Sequence, residues 1–147
     1  MQRRKAVIDT TYLLPFFGIK VQGLEARDVA RLREELGADI YYPILLLPEL
    51  AAKIAKEMMK QGLREVPEPA SEALIALLLE VDVGLIQPRI EHIKTAIKLK
   101  ALGHPDIFDC ILYATALHED AILVTRDRKL VEFLETKGLD TSNLLIR

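Results

Sequence analysis

The sequence predicts a three-layer α/β domain built on a parallel sheet, and three observations carry that prediction. Short apolar runs, mostly continuous rather than alternating, recur along the chain, as expected of parallel strands covered on both faces. Segments with apolar residues three and four positions apart lie between these runs, so strand and helix patterns alternate. No low-complexity stretch, long linker or internal repeat interrupts them. At 147 residues, 50% hydrophobic and 5% aromatic, the chain is long enough for one domain, residues 1–147, with a core of Leu, Ile, Val and Ala.

The elements follow in order. Ala6–Asp9 reads as the first strand. Glu25–Leu36 places Val29, Leu32 and Leu36 on one helical face and stops at Gly37. Asp39–Tyr42 is the second strand. Leu46–Gln61 carries Leu50, Ile54 and Met58 on one face, with Pro48 marking the helix start and Gly62 its end. A helix over Ser71–Val81, with Leu74, Leu77 and Leu78, precedes a third strand at Val83–Gln87. Ile90–Leu102 is helical through Ile93 and Ile97 and ends at Gly103. Asp106–His118 follows, with Asp106 as its N-cap after His104-Pro105 and Asp109 three residues further on. Ala121–Thr125 is the fourth strand, Arg128–Lys137 the last helix, ending at Gly138, and Leu144–Ile146 the fifth strand. Right-handed crossovers join parallel strands of this kind, and sites form at their carboxyl ends.

Composition narrows the function classes. A net charge of -2 argues against coating nucleic acid by bulk electrostatics, although a few phosphates can still be gripped locally. Cys110 is the only cysteine, which excludes an intrachain disulfide and a cysteine-rich zinc site and fits a reducing cytoplasm. The opening MQRRKAVIDTTYLLPFFGI has the order of a signal peptide, but Asp9 interrupts its apolar stretch and no small-residue cleavage site follows cleanly. No apolar run approaches the roughly 20 residues needed to cross a bilayer. There is no Gly-rich phosphate loop and no G-x-S-x-G. His92, His104 and His118 lack the spacing of a paired metal site and read as surface groups.

Four acids carry the chemistry. Asp9 ends the first strand and Asp127 follows the fourth; Glu49 and Asp109 lie in the first turns of helices. Helices here run antiparallel to the strands, so helix N-termini and strand C-termini share one edge. Clustered carboxylates repel, and a divalent ion resolves the repulsion; oxygen ligands suit Mg²⁺ or Mn²⁺. Three of the acids also have a simpler reading: a cap for Asp9 and Asp127, and a favourable helix-dipole position for Glu49. Asp106 is explained by its cap alone. Strand order decides whether the four come within bridging reach, and the residues leave that order open. Thr10, Thr125, Arg126 and Arg128 are candidates for positioning a substrate; Lys53, Lys56 and Lys60 form a basic helical face. Tyr12, Phe16, Phe17 and residues 44–47 are read as core or as apolar surface left for a partner.

The stretches VIDTTYLL, LPEL, DCILYATAL and ILVTRDRKL together resemble a PIN domain, and the likeness spans residues 6–147. Within that family the pattern resembles the small prokaryotic VapC-like toxins. The resemblance implies five parallel strands in the order 3-2-1-4-5. It also implies an endoribonuclease dependent on Mg²⁺ or Mn²⁺ that acts on single-stranded RNA, with Asp9, Glu49, Asp109 and Asp127 as its acids. Thr125 then matches the family's T-x-D element, and Thr10 the hydroxyl position after the first acid. A homodimer and a cognate antitoxin protein are the partners implied, with no membrane. A non-catalytic PIN-fold binding module and a housekeeping RNA-processing nuclease are the alternatives. A receiver-like domain is disfavoured, because Thr10-Thr11 stands where it needs an acidic pair.

Overall fold

In the computed structural model, residues 3–147 are described; residues 1 and 2 of the expected domain lie outside the described residues. Five strands form one sheet: β1 (Arg4–Ile8), β2 (Ala38–Pro43), β3 (Gly84–Ile86), β4 (Ile122–Thr125) and β5 (Leu144–Ile146). Their order is β3-β2-β1-β4-β5, and every pairing is parallel. The register sets Ala6 between Ile40 and Ile122, and Val7 between Tyr41 and Leu123. β2, β1 and β4 are each paired on both sides, and in the central β1 and β4 Ala6, Val7, Ile8, Leu123 and Val124 are all buried.

Six α-helices cover the sheet: α1 (Asp28–Leu36), α2 (Leu47–Gln61), α3 (Glu68–Leu78), α4 (Ile90–Ala101), α5 (Ile107–His118) and α6 (Arg128–Thr136). The chain steps from β1 to β2 to β3, then crosses back over the sheet to β4 and continues to β5. Right-handed crossovers in opposite directions put α1–α3 on one face and α4–α6 on the other. The direction reverses between β1 and β4, so their carboxyl ends form the topological switch point, where a crevice opens.

Local chemistry adjusts the expected boundaries. Residues 10–17 form a 3-10 helix directly after β1, capped by Asp9, whose side chain accepts from the Thr11 N–H. α1 starts at Asp28 rather than Glu25, because the Asp28 carboxylate accepts the Glu25 N–H at 2.7 Å and holds residues 25–27 in a turn. α3 starts at Glu68, three residues before the predicted Ser71, and ends at Leu78: Pro67 and Pro69 favour a helix start, and Glu80 adopts a left-handed φ of 54°. Gly84 in β3 answers a close approach, since a Cβ there would lie 2.6 Å from the Tyr41 ring.

One expectation about exposure is corrected, and one open choice is decided. His92 and His104 are buried, not surface groups: His92 is enclosed with Glu119 and the Arg89 N–H as polar partners, and His104 packs edge-to-face on Phe133. Tyr12, Phe17 and Leu46 belong to the core and leave no surface for a partner. The exposed apolar residues lie elsewhere, at Ile75, Leu78 and Leu79 around the end of α3 and at Ile90, Ile93 and Ile97 along α4.

Candidate active site

The switch point gathers the acids predicted from sequence. Asp9 leaves the end of β1, and its N–H continues the ladder to the Val124 carbonyl of β4. Its Oδ1 accepts from the Thr11 N–H at 2.9 Å, while Oδ2 accepts from the Thr125 hydroxyl at 3.0 Å and the Arg126 N–H at 3.1 Å. The same Thr125 oxygen accepts from the Asp127 N–H at 3.0 Å. One buried hydroxyl on β4 thus ties two of the acids together. Asp127 in turn caps α6, with Oδ1 accepting from the N–H groups of Lys129 and Leu130.

Glu49 and Asp109 come from opposite faces of the sheet. Each sits in the first turn of its helix, α2 or α5, where the N-terminal dipole favours an anion. Asp106 is the N-cap of α5 and accepts from the Phe108 N–H at 2.8 Å, as the His-Pro-Asp pattern leads one to expect.

The electrostatics record that these groups face one another. Burial pushes the Asp9 carboxyl above its ordinary range, against the pull of Arg126 N–H, the Thr125 hydroxyl and Thr11. Burial raises Glu49 as well, and Asp106 and Asp9 add to the rise while Thr10 and Lys53 oppose it. Asp109 is pushed up to about 8, first by burial, then by its contact with the Asp127 carboxyl and by the charges of Asp106, Asp127 and Glu49. Three acids whose ionisation is disfavoured in one crevice form a site short of positive charge.

The donor set is all oxygen, which fits a hard divalent cation. Among the described residues, no three Asp, Glu, His or Cys side chains converge as a ready-made cage. The four acids face one another across the switch point, as their mutual effects on ionisation show. Asp9, Glu49, Asp109 and Asp127 are the residues that would hold such an ion.

The other predicted positions fall as follows. Thr10 is buried, and its hydroxyl lies 2.7 Å from the Tyr42 hydroxyl, which donates to the Leu46 carbonyl. Arg128 is exposed beside Asp127. Arg126 turns its guanidinium toward Tyr12 and Gly23, with Nη1 buried and, among the described residues, without an acceptor. That crevice, about 350 Å³, is lined also by Arg31 and Arg147. Lys53, Lys56 and Lys60 are exposed along α2. Sequence reasoning missed His104, whose Nε2 lies 3.7 Å from Asp109 Oδ2. Its signal was its place two residues before a helix cap in the same turn as an acid.

An all-parallel 3-2-1-4-5 sheet with acids at the β1/β4 switch point defines the class. The family model described as PIN domain matches residues 6–135, and the chain belongs to that family. PIN domains are generally nucleases that use divalent metal ions. A search of curated proteins by sequence finds no match. Among solved structures, the fold is similar to a toxin–antitoxin complex from Klebsiella pneumoniae, at 16% identity and a TM-score of 0.62, covering 95% of each chain. It is similar to VapBC2 from Rickettsia felis bound to a DNA fragment from their promoter, at 13% identity and a TM-score of 0.62, covering 97% of each chain. VapBC-1 from nontypeable Haemophilus influenzae matches at 16% identity and a TM-score of 0.59, again covering 97% of each chain.

Proposed function

We propose that this protein is an endoribonuclease that hydrolyses phosphodiester bonds in single-stranded RNA with Mg²⁺ or Mn²⁺, as the toxin of a toxin–antitoxin pair. The observation that carries the reading is the crevice at the β1/β4 switch point of a PIN sheet, where Asp9, Glu49 and Asp109 all hold protons more tightly than ordinary carboxyls. When bound there, a divalent ion supplies activation of a water and charge stabilisation at the phosphate and the leaving oxygen. Asp9 and Asp109 anchor the cation from β1 and α5, and Glu49 and Asp127 complete the pocket. Thr125 holds the Asp9 carboxylate in orientation through its 3.0 Å hydrogen bond. Arg126 and Arg128 flank Asp127 and are the groups proposed to grip phosphates, Arg128 from an exposed position and Arg126 by turning out of its place beside Gly23. Thr10 supports the same side of the pocket through Tyr42.

The partners proposed are a cognate antitoxin and a second copy of the chain. Similarity to toxin–antitoxin complexes supports the first; the exposed isoleucines of α4 support an apolar contact of this kind. Among the described residues no helix is long and apolar enough to cross a membrane. A cytoplasmic location is proposed with the RNA substrate.

The test is cleavage of unstructured RNA with Mg²⁺ or Mn²⁺ by the protein and by Asp9→Asn. Changing even an outer-shell partner of a metal costs about 10–100-fold, so loss of a ligand is expected to lower the rate by at least about 100-fold. Equal rates sink the assignment. The second reading, a non-catalytic PIN-fold module that binds a partner, is favoured by the lack of three converged ligand groups among the described residues. It predicts no Mn²⁺ binding by calorimetry.

A further inference from the structure

We propose that His104 is a positioning residue for Asp109: its Nε2–H, beside Asp109 Oδ2, orients that carboxylate toward a divalent cation. The proposal rests on the reading of Asp109 as a cation ligand. His104 is 4% exposed, and its ring meets Phe133 edge-on, with centroids 4.8 Å apart and planes at 86°. The Asp106 N–H donates to Nδ1 at 3.1 Å. The Asp106 carbonyl oxygen lies 3.2 Å from the same nitrogen and would accept from it in the other tautomer; the Asp109 carboxyl beside Nε2 favours the ring protonated there. Asp106 is itself fixed, because its Oδ1 caps α5 through the Phe108 N–H. The cap therefore sets the ring, and the ring faces the next acid of the same turn.

Nε2 stands 3.7 Å from Asp109 Oδ2, too long for a hydrogen bond by a few tenths of an ångström. Contacts of this kind are often long in unliganded sites and tighten when the site is loaded. The surroundings give His104 its importance. The groups facing Asp109 are Asp127, Asp106 and Glu49, all acids. Among the described residues, no side-chain or backbone donor makes a hydrogen bond of ordinary length to the Asp109 carboxylate. His104 Nε2, 3.7 Å from Oδ2, is a ring nitrogen placed to serve as one. A carboxylate that binds a metal through one oxygen and accepts an N–H on the other has its orientation and basicity set by that donor.

The experiment compares Mn²⁺ affinity by calorimetry for the protein, His104→Phe and His104→Gln, with folding checked by thermal unfolding. Phe keeps the packing on Phe133 and removes the N–H; Gln restores an N–H near the position of Nε2. Phe is expected to weaken Mn²⁺ binding about 10–100-fold, Gln to recover most of that loss, and in an Asp109→Asn background Phe should have no further effect. Folded His104→Phe with unchanged Mn²⁺ affinity overturns the proposal. Should His104→Phe not fold, nitrogen NMR of the imidazole in the unmodified protein decides: a neutral ring protonated on Nε2 supports it, and a proton on Nδ1 overturns it. Failure of the unmodified protein to bind Mn²⁺ sinks the cation-site reading itself, and the proposal with it. Normal binding by that protein with no response to His104→Phe sinks the role of His104 alone.

Discussion

Asp109 concentrates the electrostatic tension of the molecule in one carboxyl group. Its pKa rises from 3.8 to about 8 because it is buried and surrounded by Asp127, Asp106 and Glu49. The folded protein keeps a proton that the unfolded chain releases above 3.8. In metal-free protein this group's contribution to stability is therefore lost as pH rises from 3.8 to about 8, and is constant above that. Asp109→Asn, with no proton to lose, is expected to unfold at a higher temperature than the unmodified protein at pH 8 in chelator, the gap narrowing toward pH 4. Thermal unfolding at a series of pH values measures it; a gap independent of pH contradicts the assignment. A bound cation must displace that proton, so Mn²⁺ affinity should rise with pH through the same window, with proton uptake by the buffer detectable calorimetrically.

At the scale of elements, the site exists because strand ends and helix starts are brought to one edge by packing. Leu123 of β4 and Leu134 of α6 are wholly buried at 0% exposure, one in the central sheet and one on the helix that covers it. Leu134→Ala is expected to cost about 2–5 kcal/mol by lost transfer and cavity terms, read as a shift of the denaturant midpoint with unchanged slope. Gly84→Ala is expected to destabilise as well, because the added Cβ meets the Tyr41 ring at 2.6 Å; Tyr41→Ala in the same chain should relieve it. The helical periodicities were legible from Val29 and Leu32, Leu50 and Ile54, and Val131 and Leu134, all of which are buried. The 3-10 helix over residues 10–17 was not, because Pro15 and a run of apolar residues show neither helical nor strand period.

For the whole molecule, the surface decides association. Ile90, Ile93 and Ile97 recur at helical spacing on α4, and Ile97 is 60% exposed. Three large aliphatics on one exposed helical face are unusual in a chain that works alone. If the proposed homodimer forms through this face, Ile93→Glu with Ile97→Glu turns it into a monomer with little change in unfolding temperature, measured by light scattering at micromolar concentration. A monomer before substitution rules out the homodimer. Sequence composition anticipated an apolar surplus but assigned it to Tyr12, Phe16, Phe17 and residues 44–47. Tyr12, Phe17 and Leu46 are core, because the turn after β1 and the entry to α2 fold under the carboxyl edge, a long-range packing that periodicity does not encode.

By itself the sequence determined the alternation of strands and helices, the ends at which Asp9, Glu49, Asp109 and Asp127 stand, and the cap at Asp106, because these are local properties of spacing and turn chemistry. The strand order came only through resemblance. Tertiary structure alone decided that β1 and β4 are neighbours, that Thr125 joins Asp9 to Asp127, and that His104 is buried against Phe133 beside Asp109. Those contacts join residues distant in the chain, and their energies depend on desolvation and on distances that no run of neighbouring residues specifies.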